Sequence, residues 1–381
     1  MRITHLRGVE LTDPAPQEIA GFYEQVWGLQ RVATGGESVY LSGTGPEHHI
    51  LSIHPGAQAT VRGYRLGLAD RAAVDGAVGK LRSRTDTSIV AGPGPLESPG
   101  GGYGLRICDP DGREIELSSG VVQVAAAPPG SSRSSADAVR AGDVSAAGSS
   151  RSSADAVRAG DVSAAGSSRS SADAVRAGDV SAAGSSRSSA DAVRAGDVSA
   201  AGSAATAGGP PIRPTKVSHV VLNSPDADAH LRLLIEGLGF RVADETEHMV
   251  FLKCNLDHHS VAIARAPHAS LNHVAFEVPT VGDVLAGVEH MASHGFETIW
   301  GPGRHPQGMN AFGYFLAPNG QVVEYTAEVE QIPDEELAPR FWVPSDYEVY
   351  DDWADISSLR PTPETRTLMR GAPETTPYGA S

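Results

Sequence analysis

Ala317-Pro318-Asn319-Gly320-Gln321-Val322-Val323-Glu324-Tyr325-Thr326 decides the fold, because it sets a tight turn against a strand-like run and because the chain uses the same device twice. Pro presets φ at its turn position, Asn and Gly tolerate the left-handed backbone that follows, and the β-branched Val322-Val323 favours an extended strand. Asp109-Pro110-Asp111-Gly112 is the earlier version of the turn. It leads into a run at 114–118 that carries Glu116 where the later run carries Glu324. Two regions with one signature are read as divergent copies of one module.

The order of elements around each turn agrees. In the first copy, residues 3–12 read as a strand, and Asp13-Pro14-Ala15-Pro16 opens a helix with Ile19, Phe22, Tyr23 and Val26 at helical spacing. Strands are expected at 38–41, 49–53 and 64–68, then a helix near 71–84 with Val74, Val78 and Leu81 on one face, then strands at 105–108 and 114–118. The second copy repeats this with a strand at 217–223 and a helix carrying Ala229, Leu231, Leu234 and Ile235. Strands follow near 240–244, 249–254, 260–264 and 271–278, then a helix over 281–294, then strands near 298–301, 313–317 and 321–326. Strand, helix, strands, helix, strands, stated twice, implies an α+β fold.

Between the copies, residues 130–201 are four identical copies of an 18-residue unit that begins Gly130-Ser131-Ser132-Arg133. Each unit has two Arg against two Asp and no apolar side chain larger than Val, so it is neutral and cannot build the stacked core of a solenoid. The expected organisation is a first module at 1–124, a low-complexity linker at 125–211, a second module at 212–328 and a tail at 329–381 that is partly packed. Phe341, Trp342, Tyr347, Tyr350 and Trp353 argue that residues 338–355 pack on the second module or on a partner subunit, whereas 361–381 read as looser. A lid over a site is one role open to this tail.

Charge and cysteine content exclude several classes. The 381 residues carry 46 acidic and 30 basic side chains, a formal net charge of -16, so neither nucleic acid nor an anionic membrane is the expected partner. Cys108 and Cys254 are far apart and outside any CxxC spacing, which supports neither a disulfide framework nor a zinc knuckle. No apolar run reaches the ~18 residues that span a bilayer, and Met1-Arg2-Ile3-Thr4-His5 lacks an apolar signal region, so a cytoplasmic protein is expected.

Three runs of the second copy each offer one ligand-type side chain: Val217-Ser218-His219-Val220-Val221-Leu222, Leu271-Asn272-His273-Val274-Ala275-Phe276-Glu277-Val278, and the run holding Glu324. Side chains alternate along a strand, so three adjacent strands can aim His, His and Glu at one interior point. That set is the facial triad of non-haem Fe(II) sites. A hydrogen-bonded core or rim histidine is the bland reading of any one of them. Aligning the two copies puts Gly8 opposite His219 and Tyr64, within a residue or two, opposite His273, while Glu116 still answers Glu324. A metal site is therefore expected in the second module alone.

With these residues in place the chain resembles type I extradiol ring-cleaving dioxygenases of the vicinal oxygen chelate superfamily, over about 240 residues that exclude the repeats. The resemblance implies two tandem modules of paired βαβββ units, each an open mixed-sheet barrel, with the metal only in the second. It implies Fe(II), or Mn(II), on His219, His273 and Glu324, with O2 as cosubstrate and a small aromatic diol as substrate. The run Cys254-Asn255-Leu256-Asp257-His258-His259 is similar to the family segment that supplies an acid–base histidine, which assigns that role to His259. Gly303-Arg304-His305 with Tyr314 nine residues on resembles the segment supplying a second His and a Tyr that hydrogen-bond substrate oxygens. His258, His268, His290 and His294 have no place in the pattern and are read as surface or rim residues. A muconic semialdehyde-type product and a homo-oligomer complete the expectation. Two other classes in the superfamily compete: glyoxalase-type isomerases, which need no O2, and non-catalytic modules that sequester an aromatic ligand. The first copy's lack of histidines at Gly8 and Tyr64 counts against the former, and the complete triad with His259 against the latter.

Overall fold

The computed structural model describes residues 1–124, 212–343 and 361–374; the repeats and the linker reading lie outside the described residues, as does most of 338–355. The described parts all belong to one compact unit. Its first module runs β1 (Ile3–Asp13), α1 (Pro16–Gln25), β2 (Gln30–Gly35), β3 (Ser38–Ser42), β4 (Leu51–Pro55), then β5 (Thr60–Leu68), α2 (Arg71–Leu81), β6 (Ser88–Pro95), β7 (Tyr103–Cys108) and β8 (Glu114–Ser119). These are two βαβββ units, joined where β1 pairs antiparallel with β5. The sheet order is β2-β3-β4-β1-β5-β8-β7-β6.

The second module repeats the plan with β9 (Lys216–Ser224), α3 (Ala227–Arg232), a π-helical turn (Leu233–Gly237), β10 (Arg241–Thr246), β11 (Met249–Lys253) and β12 (Val261–Arg265). Its second unit has β13 (Ser270–Glu277), α4 (Val281–Ser293), β14 (Thr298–Arg304), β15 (Ala311–Leu316) and β16 (Val322–Ala327). The order β10-β11-β12-β9-β13-β16-β15-β14 matches the first module strand for strand, and β17 (Arg340–Trp342) adds an edge beside β10. The architecture is the expected α+β pair of modules. Thr280 caps α4 through a reciprocal box with Asp283.

Three strands and one helix escaped the pattern reading. β6 contains Gly92-Pro93-Gly94-Pro95, which reads as a turn; the segment lies at the sheet edge with two register shifts, where proline's missing N–H costs no ladder bond. β2 and β17 are also short and near or at an edge. The tail segment read as loose forms α5 (Pro363–Arg370), capped by Thr362 and packed on β13.

The alternation of β16 serves two ends. Tyr325 faces the other module, where its ring stacks on Trp27 at 3.8 Å and its hydroxyl donates to the Trp27 carbonyl at 3.0 Å. An aromatic pair of this kind is worth about 0.5–1.5 kcal/mol beyond its buried area. Gly287 on α4 is required there, because a Cβ would sit 2.7 Å from the Tyr325 ring. His290, read from sequence as a rim residue, donates from Nε2 to the Val26 carbonyl at the same seam, at 2.8 Å. A core continuous through both modules thus anchors Tyr325, and with it the opposite face of β16, which carries Glu324.

Candidate metal centre

Register brings the three expected ligands together. On adjacent strands β9, β13 and β16, His219, Ala275 and Glu324 form one row across the sheet, and His273 lies two residues before Ala275 on the same face. The small Ala275 leaves room for the two long side chains to lean over it. Glu324 Oε2 is 3.2 Å from the Nε2 atoms of both His219 and His273, which are 3.4 Å apart. Among the described residues this is the one group of three side chains that could hold a metal ion. All three are buried, and Glu324 Oε2 has no hydrogen-bond partner. An orphaned buried carboxylate oxygen facing two imidazole nitrogens needs a cation, and one ion at the ~2.1 Å of a metal–ligand bond reaches every corner of so small a triangle. The residues fit a metal.

Hydrogen bonds turn the ligand nitrogens the right way. Asn223 Nδ2 donates to the carbonyls of Met369 (2.8 Å) and Arg370 (3.2 Å) at the end of α5, which fixes its amide orientation. Asn223 Oδ1 then accepts from Asn272 Nδ2 at 3.0 Å, and Asn272 Oδ1 accepts from His273 Nδ1 at 2.8 Å. His273 therefore carries its proton on Nδ1 and offers the Nε2 lone pair to a metal. Strict alternation would send Asn272 to the other face; a register shift at that residue keeps it beside the site. Asn310 donates to the other carboxylate oxygen, Oε1, at 3.3 Å.

Electrostatics agree with a ligand set. Burial pushes the Glu324 carboxyl up, but His219 and His273 beside it more than offset this and hold it below the ordinary carboxylate range. Burial lowers His273, partly opposed by Glu324, so both groups favour the deprotonated states a metal requires.

The other expected residues line the same cleft, about 230 Å³ in volume. His259 presents its ring 4.2 Å from that of His219, and burial, followed by the neighbouring histidines, pushes its pKa well below the usual value. His305 Nε2 is 3.0 Å from the Tyr314 hydroxyl, and its ring stacks on Phe312. Burial and then Glu324 raise the Tyr314 phenol well above its ordinary value, keeping it a proton donor. Val221, Met249, Phe251 and Trp300 supply apolar wall, and Pro361, Arg366 and Met369 bring the α5 segment onto the cleft. Pattern reading missed Asn223, Asn272, Asn310 and this wall. It also misplaced His258, which is buried and bonded to His259 rather than at the rim. The doubled His258-His259, matched by His48-His49 in the first copy, was the available signal.

Residues 216–325 match the family model described as the Glyoxalase/Bleomycin resistance protein/Dioxygenase superfamily. The chain is 32% identical over 143 residues to metapyrocatechase 2 of Cupriavidus necator, covering 37% of this chain and 43% of that protein. It is 30% identical over 132 residues to biphenyl-2,3-diol 1,2-dioxygenase 2 of Rhodococcus globerulus, covering 32% of this chain and 68% of that one. The chain thus spans less than half the length of the metapyrocatechase. Among solved structures, the Mn(II)-bound glyoxalase of Novosphingobium aromaticivorans superposes with a TM-score of 0.70 at 25% identity, over 100% of this chain and 97% of that one. Homoprotocatechuate 2,3-dioxygenase of Brevibacterium fuscum, solved with 3,4-dihydroxyphenylacetate, has a TM-score of 0.64 at 18% identity, over 96% and 92%, and shares the fold. No helix among the described residues is long and apolar enough to cross a membrane.

Proposed function

The chain belongs to the Glyoxalase/Bleomycin resistance protein/Dioxygenase superfamily, and from that premise we propose that it cleaves a catecholic ring beside its two hydroxyls with O2. The observation that carries this reading is the triangle of His219, His273 and Glu324 on a cleft also lined by His259, His305 and Tyr314. Fe(II) is the metal of the proposal, with Mn(II) the alternative that the Mn(II)-bound neighbour supports. When bound, such an ion supplies Lewis acidity and open positions for a chelating diol and O2.

The chain's own residues do the rest. His259, neutral through burial, takes a proton from a substrate hydroxyl and later returns it. Tyr314, kept protonated, donates to a substrate oxygen, and His305 orients that hydroxyl. Phe251, Met249 and Trp300 hold the ring and exclude water. A cleft of 230 Å³ exceeds the ~150 Å³ cavity that takes benzene, which supports a monocyclic diol with a modest substituent. A homo-oligomer belongs to the same reading.

The test is anaerobic loading with Fe(II) or Mn(II), metal analysis, then admission of O2 with monocyclic and bicyclic catechols. O2 uptake with a yellow ring-opened semialdehyde is expected for the monocyclic substrates. Metal binding with no O2 uptake for any catechol would sink the reading. The full-length likeness to a glyoxalase favours a second reading, a metal-dependent isomerase, and anaerobic turnover of a glyoxalase substrate would select it.

A further inference from the structure

A chain of hydrogen bonds from the C-terminal segment ends at the acid–base histidine. Asp244 on β10 accepts the Arg340 backbone N–H on Oδ1 at 3.0 Å and the Trp342 indole N–H on Oδ2 at 2.8 Å, so β17 pins its carboxylate. His258 Nε2 is 3.1 Å from Asp244 Oδ2, and His258 Nδ1 is 3.0 Å from His259 Nδ1. The two rings are perpendicular and both are buried. A carboxylate offers only acceptors, so His258 carries a proton on Nε2, and the tautomer with that proton presents a lone pair at Nδ1. The proton between the rings then belongs to His259 Nδ1. His259 Nε2 is left bare, and no hydrogen bond reaches it among the described residues.

The first module holds an independent witness. His48 and His49 repeat the arrangement, with Nδ1 atoms 3.1 Å apart and rings at 90°. There the His49 Nε2 meets a guanidinium nitrogen of Arg65. A guanidinium can only donate, so this Nε2 is a lone pair and the His49 proton sits on Nδ1. Register puts Ala33 where the second module has Asp244.

We propose that Asp244 and His258 are positioning residues that hold His259 in the Nδ1–H tautomer, with its Nε2 lone pair available to the substrate. The use of that lone pair rests on the ring-cleavage reading; the tautomer does not. In the proton transfer a substrate O–H bond breaks, an Nε2–H bond forms on His259, and no electrons are exchanged. The resulting imidazolium charge is met, through His258, by the Asp244 carboxylate.

Nitrogen-15 NMR of the full chain labelled in histidine, metal-free and loaded with Zn(II), reads the tautomer directly, with His259→Gln to assign the signals. The expected result is a protonated Nδ1 and an unprotonated Nε2 on His259; a proton on Nε2 would overturn the proposal. His258→Phe keeps a buried ring and removes the Nδ1 acceptor. It should lower kcat about tenfold, in the range of removing an orienting partner, with KM and bound iron unchanged. An unchanged kcat in a folded, iron-loaded variant counts against the proposal, and if this variant does not fold the wild-type spectrum decides. O2 uptake with the proton on Nε2 sinks this inference alone. Absence of O2 uptake with the proton on Nδ1 sinks the ring-cleavage reading and leaves the tautomer standing.

Discussion

The two modules place different residues in the same row of the same sheet. In the second, His219, Ala275 and Glu324 lie side by side; in the first, the row is Gly8, Arg65 and Glu116. Large and small have changed places. Where Ala275 clears space for a cation between its neighbours, Arg65 brings its own, and Gly8 is needed because a Cβ there would lie 2.4 Å from the Arg65 guanidinium and 2.3 Å from the Ile50 carbonyl. Arg65 is buried near Glu10 at 3.8 Å, while Arg106 pairs with Glu10 and Glu116 at 2.9 Å. In the first module fixed arginines stand beside the carboxylates, at the place in the row that Ala275 leaves open in the second. Buried carboxylates on this fold need positive charge, and a metal is one of two ways to supply it.

Moving the arginine across should break the comparison most severely. Ala275→Arg puts a guanidinium between His219 and Glu324 and is expected to leave a folded chain that binds no iron, with activity down by about 10³-fold or more. His273→Ala should match it in metal analysis and O2 uptake, and full iron in either variant would undo the ligand assignment. The reverse change tests the first module's dependence on its internal cation. Arg65→Ala removes the guanidinium beside buried Glu10 and leaves that carboxylate to Arg106, and should cost about 1–3 kcal/mol in denaturant unfolding, without creating a metal site, since Gly8 supplies no ligand.

A smaller effect separates the ligands from what orients them. Asn272→Ala leaves His273 in place but removes the acceptor that fixes its tautomer, so metal affinity should fall by about 10–100-fold, read by chelator competition. The smallest effect is on pH dependence. Burial pushes the Glu10 carboxyl up, but Arg106 more than offsets this and brings it down to about 2. A depressed folded value means that the stabilisation is complete above the ordinary carboxylate value and is lost as pH falls through about 2. Glu10→Gln should flatten the stability curve across that acid window and leave the curve at neutral pH parallel to wild type.

Much of this site could be read from residues in order. Two turns of one kind, each with a Glu after it, revealed the duplication, and the matched strand runs put His219 and His273 on one face. Register places Gly63, one residue before Tyr64 and within the expected margin, opposite His273. Both copies carry a bulge, at Arg62 and at its counterpart Asn272, and a bulge changes which side chains share a face without altering hydrophobic pattern. His258 was misread. Its burial comes from Asp244 and Phe251, on strands distant in order but adjacent in the sheet.

Sequence by itself determined the module plan, the two-His, one-Glu set and the copy that holds it, because periodicity and turn chemistry are local and the duplication provides its own alignment. Tertiary structure alone decided what surrounds those residues. It placed Ala275 where space was needed, Arg65 where a cation was needed, and the carbonyls of α5 and the indole of Trp342 at the ends of chains that set which nitrogen of His273 and of His259 carries a proton. A tautomer depends on the partner a ring nitrogen meets, and that partner is chosen by packing across strands and by segments far away in the chain.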